Sequence, residues 1–144
     1  MIPVIKLTDM ISPSFYRLHR DIANEKYTHY WLKGGRGSTK SSFISLEIIL
    51  GIMTHKGTNA VAIRKVGLYL KDSVFEQLNW AIEKLGVSHL WQVKLSPLEM
   101  IYLPTGQKIL LLTQLSLITR IFCELLLYPS PSDWSKHKFI VQNP

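Results

Sequence analysis

Cysteine is almost absent. Cys123 is the only one in 144 residues, which excludes an intramolecular disulfide and leaves the chain no disulfide partner of its own. That usage fits a reducing, cytoplasmic setting. The histidines, His19, His29, His55, His89 and His137, are scattered without paired spacing, so no metal-ligand cluster is written into the sequence. No Ser/His/Asp set stands out either, because order along a chain carries no geometry. Acidic residues are scarce, 10 against 17 basic, giving a net charge of +7 and a pI of about 9.6. This balance is compatible with a polyanionic partner without requiring one. The start, Met1 to Asp9, lacks a basic stretch followed by a long apolar core, so it does not read as a secretory signal. Apolar residues are not scarce. At 47% they exclude disorder, and the length allows one domain at most.

The most informative run is Trp31 to Ser42. Gly34 opens a Gly-x4-Gly-Lys-Ser/Thr pattern that Lys40 and Ser41 close. Thr39 stands where the second glycine usually sits. Gly34, Gly35, Arg36, Gly37, Ser38, Thr39, Lys40 and Ser41 therefore read as a phosphate-binding loop of the Walker A kind. Small residues let backbone N–H groups surround phosphate oxygens. The lysine reaches the terminal phosphates, and the Ser41 hydroxyl can ligate Mg²⁺. The flanks agree. Thr28 to Lys33 is rich in β-branched and aromatic residues and predicts a strand. From Ser41 to Met53, the apolar residues Phe43, Leu46, Ile49, Leu50 and Met53 recur at helical spacing. A helix N-terminus beside the loop adds partial positive charge to the site.

Other segments carry local signals. Ser12-Pro13 predicts a helix start, with Phe15, Leu18 and Ile22 on one face. That helix has two readings: a lid or adenine-side element, or a solvated amphipathic helix. His55 to Asn59 predicts a turn and Ala60 to Arg64 a short buried strand. Leu68 to Leu85 predicts a second helix that Gly86 caps. Leu90 to Leu95 predicts a strand broken by Pro97. Met100–Leu103 and Gln107–Leu110 flank the turn signal Pro104-Thr105-Gly106 and predict a β-hairpin. Ile109 to Tyr128 is leucine-rich and predicts a helix, with Arg120 and Glu124 four apart. Its length nears that of a membrane span, and its two charges argue against one. The resulting fold class is α/β: an incomplete P-loop NTPase core with a parallel sheet and helices on both faces, a β-hairpin and a leucine-rich C-terminal helix.

Residues 15–19, 27–41 and 61–66, with Asp72 to Leu78 and Pro104 to Lys108, closely resemble the N-terminal part of phage terminase large subunits. The group found in prophages of Gram-positive bacteria looks nearest. The resemblance covers residues 11 to 109, which divides the chain into a terminase-like ATPase part, 1–109, and a divergent tail, 110–144. It implies a packaging motor that couples ATP hydrolysis to translocation of double-stranded DNA into a capsid. It further implies ATP and Mg²⁺ as cofactors, and a small terminase subunit and a portal protein as partners, in the cytoplasm of the bacterial host. By match to the family's loop, Lys40 contacts the β/γ-phosphates and Ser41 holds Mg²⁺. Arg36 lies where such motors often carry an arginine at the γ-phosphate, or is a solvated loop arginine. Arg64, closing its strand, is a weaker candidate for the nucleotide site.

Two departures accompany the resemblance. The family's catalytic acids end an apolar strand well after the loop, and here no apolar strand ends in paired acids. The family's nuclease carboxylates are absent too. Beyond Lys108 the resemblance stops, as a frameshift or an early stop in a decaying prophage would leave it. The expectation is therefore a truncated, hydrolysis-deficient ATP-binding fragment. Two other readings stand beside it: a different P-loop NTPase, or a small membrane-associated protein anchored by Ile109 to Tyr128.

Overall fold

A computed structural model describes residues 5–27, 29–35, 39–64, 70–113 and 138–142. Ser12, in extended backbone, leads into a 3-10 turn, Pro13–Phe15, with the proline at its head. The fixed proline φ suits that position, where no N–H is needed. The turn continues as α1, Tyr16–Ala23. Ile22 is buried, and Phe15 and Leu18 pack against the core, on the face their spacing predicted.

Strand β1, His29–Lys33, alternates exposed and buried residues, with Tyr30 and Leu32 inward. It runs through Gly34 and Gly35 toward α2, Lys40–Thr54. Helix α2 buries Phe43, Ile44, Leu46, Ile49 and Ile52, a wider set than one amphipathic stripe, as befits a central helix. Strand β2, Ala60–Arg64, comes next, with the bounds its sequence predicted. The second helix begins differently from expectation. Leu70–Phe75 is a π-helical turn, and regular α3 covers only Glu76–Lys84. Leu78, Ala81 and Ile82 are its buried residues, and Phe75, closing the turn before it, is buried as well. Gly86, at φ +67, ends it in a Schellman arrangement: Gly86 N–H donates to Glu83 O and Val87 N–H to Ile82 O.

The sheet is mixed: the hairpin expected beside a parallel sheet is part of the sheet itself. Strands β3 (Trp91–Leu95), β4 (Leu98–Tyr102) and β5 (Gln107–Thr113) form an antiparallel meander, and β5 then pairs in parallel with β2. The order is β2-β5-β4-β3, while β1 pairs in parallel with β6, Lys138–Gln142, in a separate two-stranded sheet. Inward residues Trp91, Met100, Ile109 and Leu111 join the helices in one core. Gln92, Lys94 and Lys108 are exposed on the opposite face, so among the described residues the four-stranded sheet is not buried on both sides. The leucine-rich helix is also corrected at its start. Ile109 to Thr113 lie in β5, because an apolar run with a parallel partner on one side and an antiparallel one on the other makes a buried strand. The rest of that predicted helix, from residue 114, falls outside the described residues, as do Cys123, Arg120 and Glu124. No helix among the described residues is long and apolar enough to cross a membrane.

Buried polar groups tie distant segments together. Gln107 is buried, and its Nε2 donates to His55 O at 2.8 Å and Thr58 O at 2.6 Å. Lys108 N–H donates to Asn59 Oδ1 at 2.8 Å. Together they clamp the turn before β2 onto the start of β5. Glu99 is buried between Lys94, at 3.2 Å, and Lys108, at 3.9 Å, so its charge is compensated rather than stranded.

Candidate functional site

The site is the junction of β1, the glycine-containing turn and α2. Lys40 is the first residue of α2 and is buried. Its Nζ donates to Gly34 O at 2.7 Å and Gly35 O at 3.0 Å. An ammonium taken from water must find acceptors, and the two loop carbonyls supply them. The lysine thus lies back along the loop that its motif assigns to it. Ser41 is next in the first turn, exposed. Ser42 accepts a hydrogen bond from Gln77 Nε2 at 3.2 Å, which fixes the head of α2 to α3. Arg36, Gly37 and Ser38 lie outside the described residues. Arg64 ends β2, with Thr113 as its ladder partner.

Thr39 explains its own irregularity. It precedes α2 at φ 59 and ψ 13, in the left-handed region. There a side chain crowds the following carbonyl, at a cost of about 1–2 kcal/mol to an L-residue. That is why the motif prefers glycine at this place. Thr39 makes no side-chain capping bond in return. Thr39→Gly is therefore expected to raise unfolding stability by about 1 kcal/mol in urea titration. Equal or lower stability would show that the backbone is not held in this conformation.

Beside the junction lies a cavity of about 180 Å³, bounded by Met10 and Ile11, by Thr39, by Ser42 and Phe43 of α2, and by Trp80 of α3. Sequence reasoning missed it, since its walls come from three separate stretches. It also missed His19–Glu47, where Nδ1 meets Oε1 and ties α1 to the buried side of α2. Burial pushes the Glu47 carboxyl above its ordinary value of 4.5, and the hydrogen bond and charge of His19 pull it partly back. Linkage gives the sign. The folded chain keeps a proton that the unfolded chain releases above about pH 4.5, so stability falls as pH rises through that window and levels off above the native value. Glu47→Gln keeps an acceptor without the charge. Its unfolding stability is expected to stay nearly flat across that window and to exceed the parent's at neutral pH. A parallel pH profile for the two proteins would refute this role.

Among the described residues no three His, Cys, Asp or Glu side chains gather into a metal site. The arrangement is otherwise suited to an anion: a strand delivering a glycine turn, a 15-residue helix whose N-terminus faces that turn, and a cation at its head.

A chain built this way is an α/β protein whose strand–turn–helix junction has a charge arrangement suited to an anion. Comparison with known proteins makes the assignment specific. Residues 26–116 match the phage terminase large subunit family, and the chain belongs to that family. It is 42% identical over 106 residues, 74% of its length, to the terminase large subunit of Bacillus phage SPP1. It is 35% identical over 79 residues, 55% of its length, to the PBSX phage terminase large subunit of Bacillus subtilis strain 168. It spans only 25% and 18% of those two relatives' own lengths.

Proposed function

We propose that this chain is the nucleotide-binding part of a phage DNA-packaging terminase large subunit, with a P-loop formed by Gly34 to Ser41. In this reading Lys40 exchanges the Gly34 and Gly35 carbonyls for the β/γ-phosphates of ATP. The N-terminus of α2 lends its dipole, and Arg36 meets the γ-phosphate. The observation that carries the proposal is the buried Lys40 ammonium, hydrogen-bonded to the glycine turn at the head of α2, in a chain of this family. The cavity walled by Ile11, Thr39 and Trp80 supports a nucleobase on the same side. Double-stranded DNA, a small terminase subunit and a portal protein are the partners this role entails.

The fit to the two groups differs. Phosphates find a cation, a helix N-terminus and a glycine turn. For Mg²⁺, whose sites ordinarily draw on one or two carboxylates, the chain offers the exposed Ser41 hydroxyl, and no apolar strand of the sequence ends in paired acids. The chain is therefore proposed to bind nucleotide without turning it over. Titration with a fluorescent ATP analogue tests this. Saturable binding displaced by ATP but not by AMP is expected, with no phosphate release. Absence of saturable binding overturns the nucleotide reading, and steady phosphate release overturns the lack of turnover.

A further inference from the structure

Asp72 to Leu78 lies within the residues that match the family, yet it is remote in sequence from the glycine loop. It closes the π-helical turn Leu70–Phe75 and opens α3. Gln77, in the first turn of α3, reaches 35 residues back along the chain, where its Nε2 donates to Ser42 Oγ at 3.2 Å.

The head of α2 needs such a brace. Thr39 stands at its N-cap and makes no side-chain capping bond, so the local device that ordinarily fixes a first helical turn is missing. Lys40 ties that turn to the loop on one side, through Gly34 O and Gly35 O. Ser42 lies two residues on, about 200° round the helix, and ties it to α3 on the other. Gln77 and Trp80 are three apart on α3 and so share a face, and Trp80 walls the cavity that Thr39 and Ser42 also border. One face of α3 thus meets both the head of α2 and the cavity. The amide suits the place chemically. It donates a hydrogen bond without charge, where a carboxylate would repel phosphate and an ammonium would compete with Lys40 for it.

We infer that Gln77 is a positioning residue for the nucleotide phosphates. By holding Ser42 it fixes the first turn of α2 at the angle where Lys40 and the leading backbone N–H groups of the helix converge on them. This rests on the nucleotide reading above and deepens it, because the residue acts on the phosphates through α2 rather than by touching them.

Binding of a fluorescent ATP analogue to the full chain, with ATP and inorganic tripolyphosphate as competitors, tests the inference. Gln77→Met keeps the length of the side chain and removes the donor. It is expected to weaken ATP by about fivefold, the scale of one neutral hydrogen bond, and tripolyphosphate, which has no base, by the same factor. Gln77→Ala should do the same. In a Ser42→Ala background Gln77→Met should cost less than about twofold, because its partner is already gone. Weakening of ATP but not of tripolyphosphate places Gln77 at the base and overturns the inference. An undiminished loss in the Ser42→Ala background overturns it too, and so does a lowered melting temperature with unchanged affinity for both competitors. Parent and Gln77→Met binding ATP equally sink this inference alone. No binding by the parent refutes the nucleotide reading, and this inference with it.

Discussion

Replacing Lys40 with alanine is expected to weaken ATP-analogue binding by about a hundredfold. The magnitude comes from what the ammonium does. Two hydrogen bonds to charged phosphate oxygens are each worth about 1.5–3 kcal/mol, and after the two carbonyl bonds given up in exchange a net loss of about 3 kcal/mol, near a hundredfold, is the expected scale. The lysine is already held at the site, with its Nζ at 2.7 and 3.0 Å from the two glycine carbonyls, so little ordering remains to be done on binding. Lys40→Arg should recover only a small part of the loss. The guanidinium is a planar fork and does not fit a point-charge position enclosed by backbone. Neither variant should change the fold, because Phe43 and Ile44, rather than Lys40, anchor this end of α2. Equal affinity in the parent and Lys40→Ala would refute the role assigned to the loop.

The second large effect is on stability. Phe43 is 1% exposed and stacks on Phe15 with ring centroids 4.5 Å apart and planes 6° from parallel. Truncation to alanine removes a fully buried ring, the stacking and much of the contact between α2 and the segment leading into α1. The expected loss is about 3–5 kcal/mol, a large share of the roughly 5–15 kcal/mol that stabilises a typical domain. Phe43→Ala should therefore melt at least about 10 °C below the parent, followed by helical circular dichroism. Phe43→Leu keeps most of the volume and should remain folded. A cooperative transition in Phe43→Ala close to the parent's would show that the core does not converge on this residue.

Local chemistry was legible in the sequence, and assembly was not. The bounds of β2, the turn at Pro104-Thr105-Gly106 and the cap at Gly86 all rest on neighbours in the chain, and each holds. Even the irregular Thr39 pointed to a position where the backbone favours glycine. The misreadings are those in which a distant partner decides. Ile109 to Thr113 is an apolar run whose period does not separate strand from helix; β2 and β4, pairing from either side, settle it as strand. Glu47 sits within an apolar helical stretch, and nothing nearby announces that His19, 28 residues away, meets it there. The π-helical turn at Leu70–Phe75 replaces regular helix in the stretch that packs against β5, where tertiary contact outweighs the local repeat. At the candidate site, the position of Lys40 and Ser41 at the head of α2 was readable from spacing. The Ser42–Gln77 bond and the cavity bounded by Ile11 and Trp80 depend on how α3 crosses α2, for which the sequence offers no pattern.

Strand β5 belongs to two pairings of very different reach. Toward β4 its partner lies just across a four-residue turn, Leu103 to Gly106. Toward β2 the pairing spans the whole of α3 and the meander, as the 49-residue separation of Asn59 and Lys108 records. Closing a short loop forfeits less chain entropy and takes less time than closing a long one. The meander can therefore form while the ribosome is still adding residues, and present a ready edge to which β2 docks later. Gln107, waiting at the first position of that edge, then acts as a latch: its amide has both acceptors only once the two halves of the chain have met.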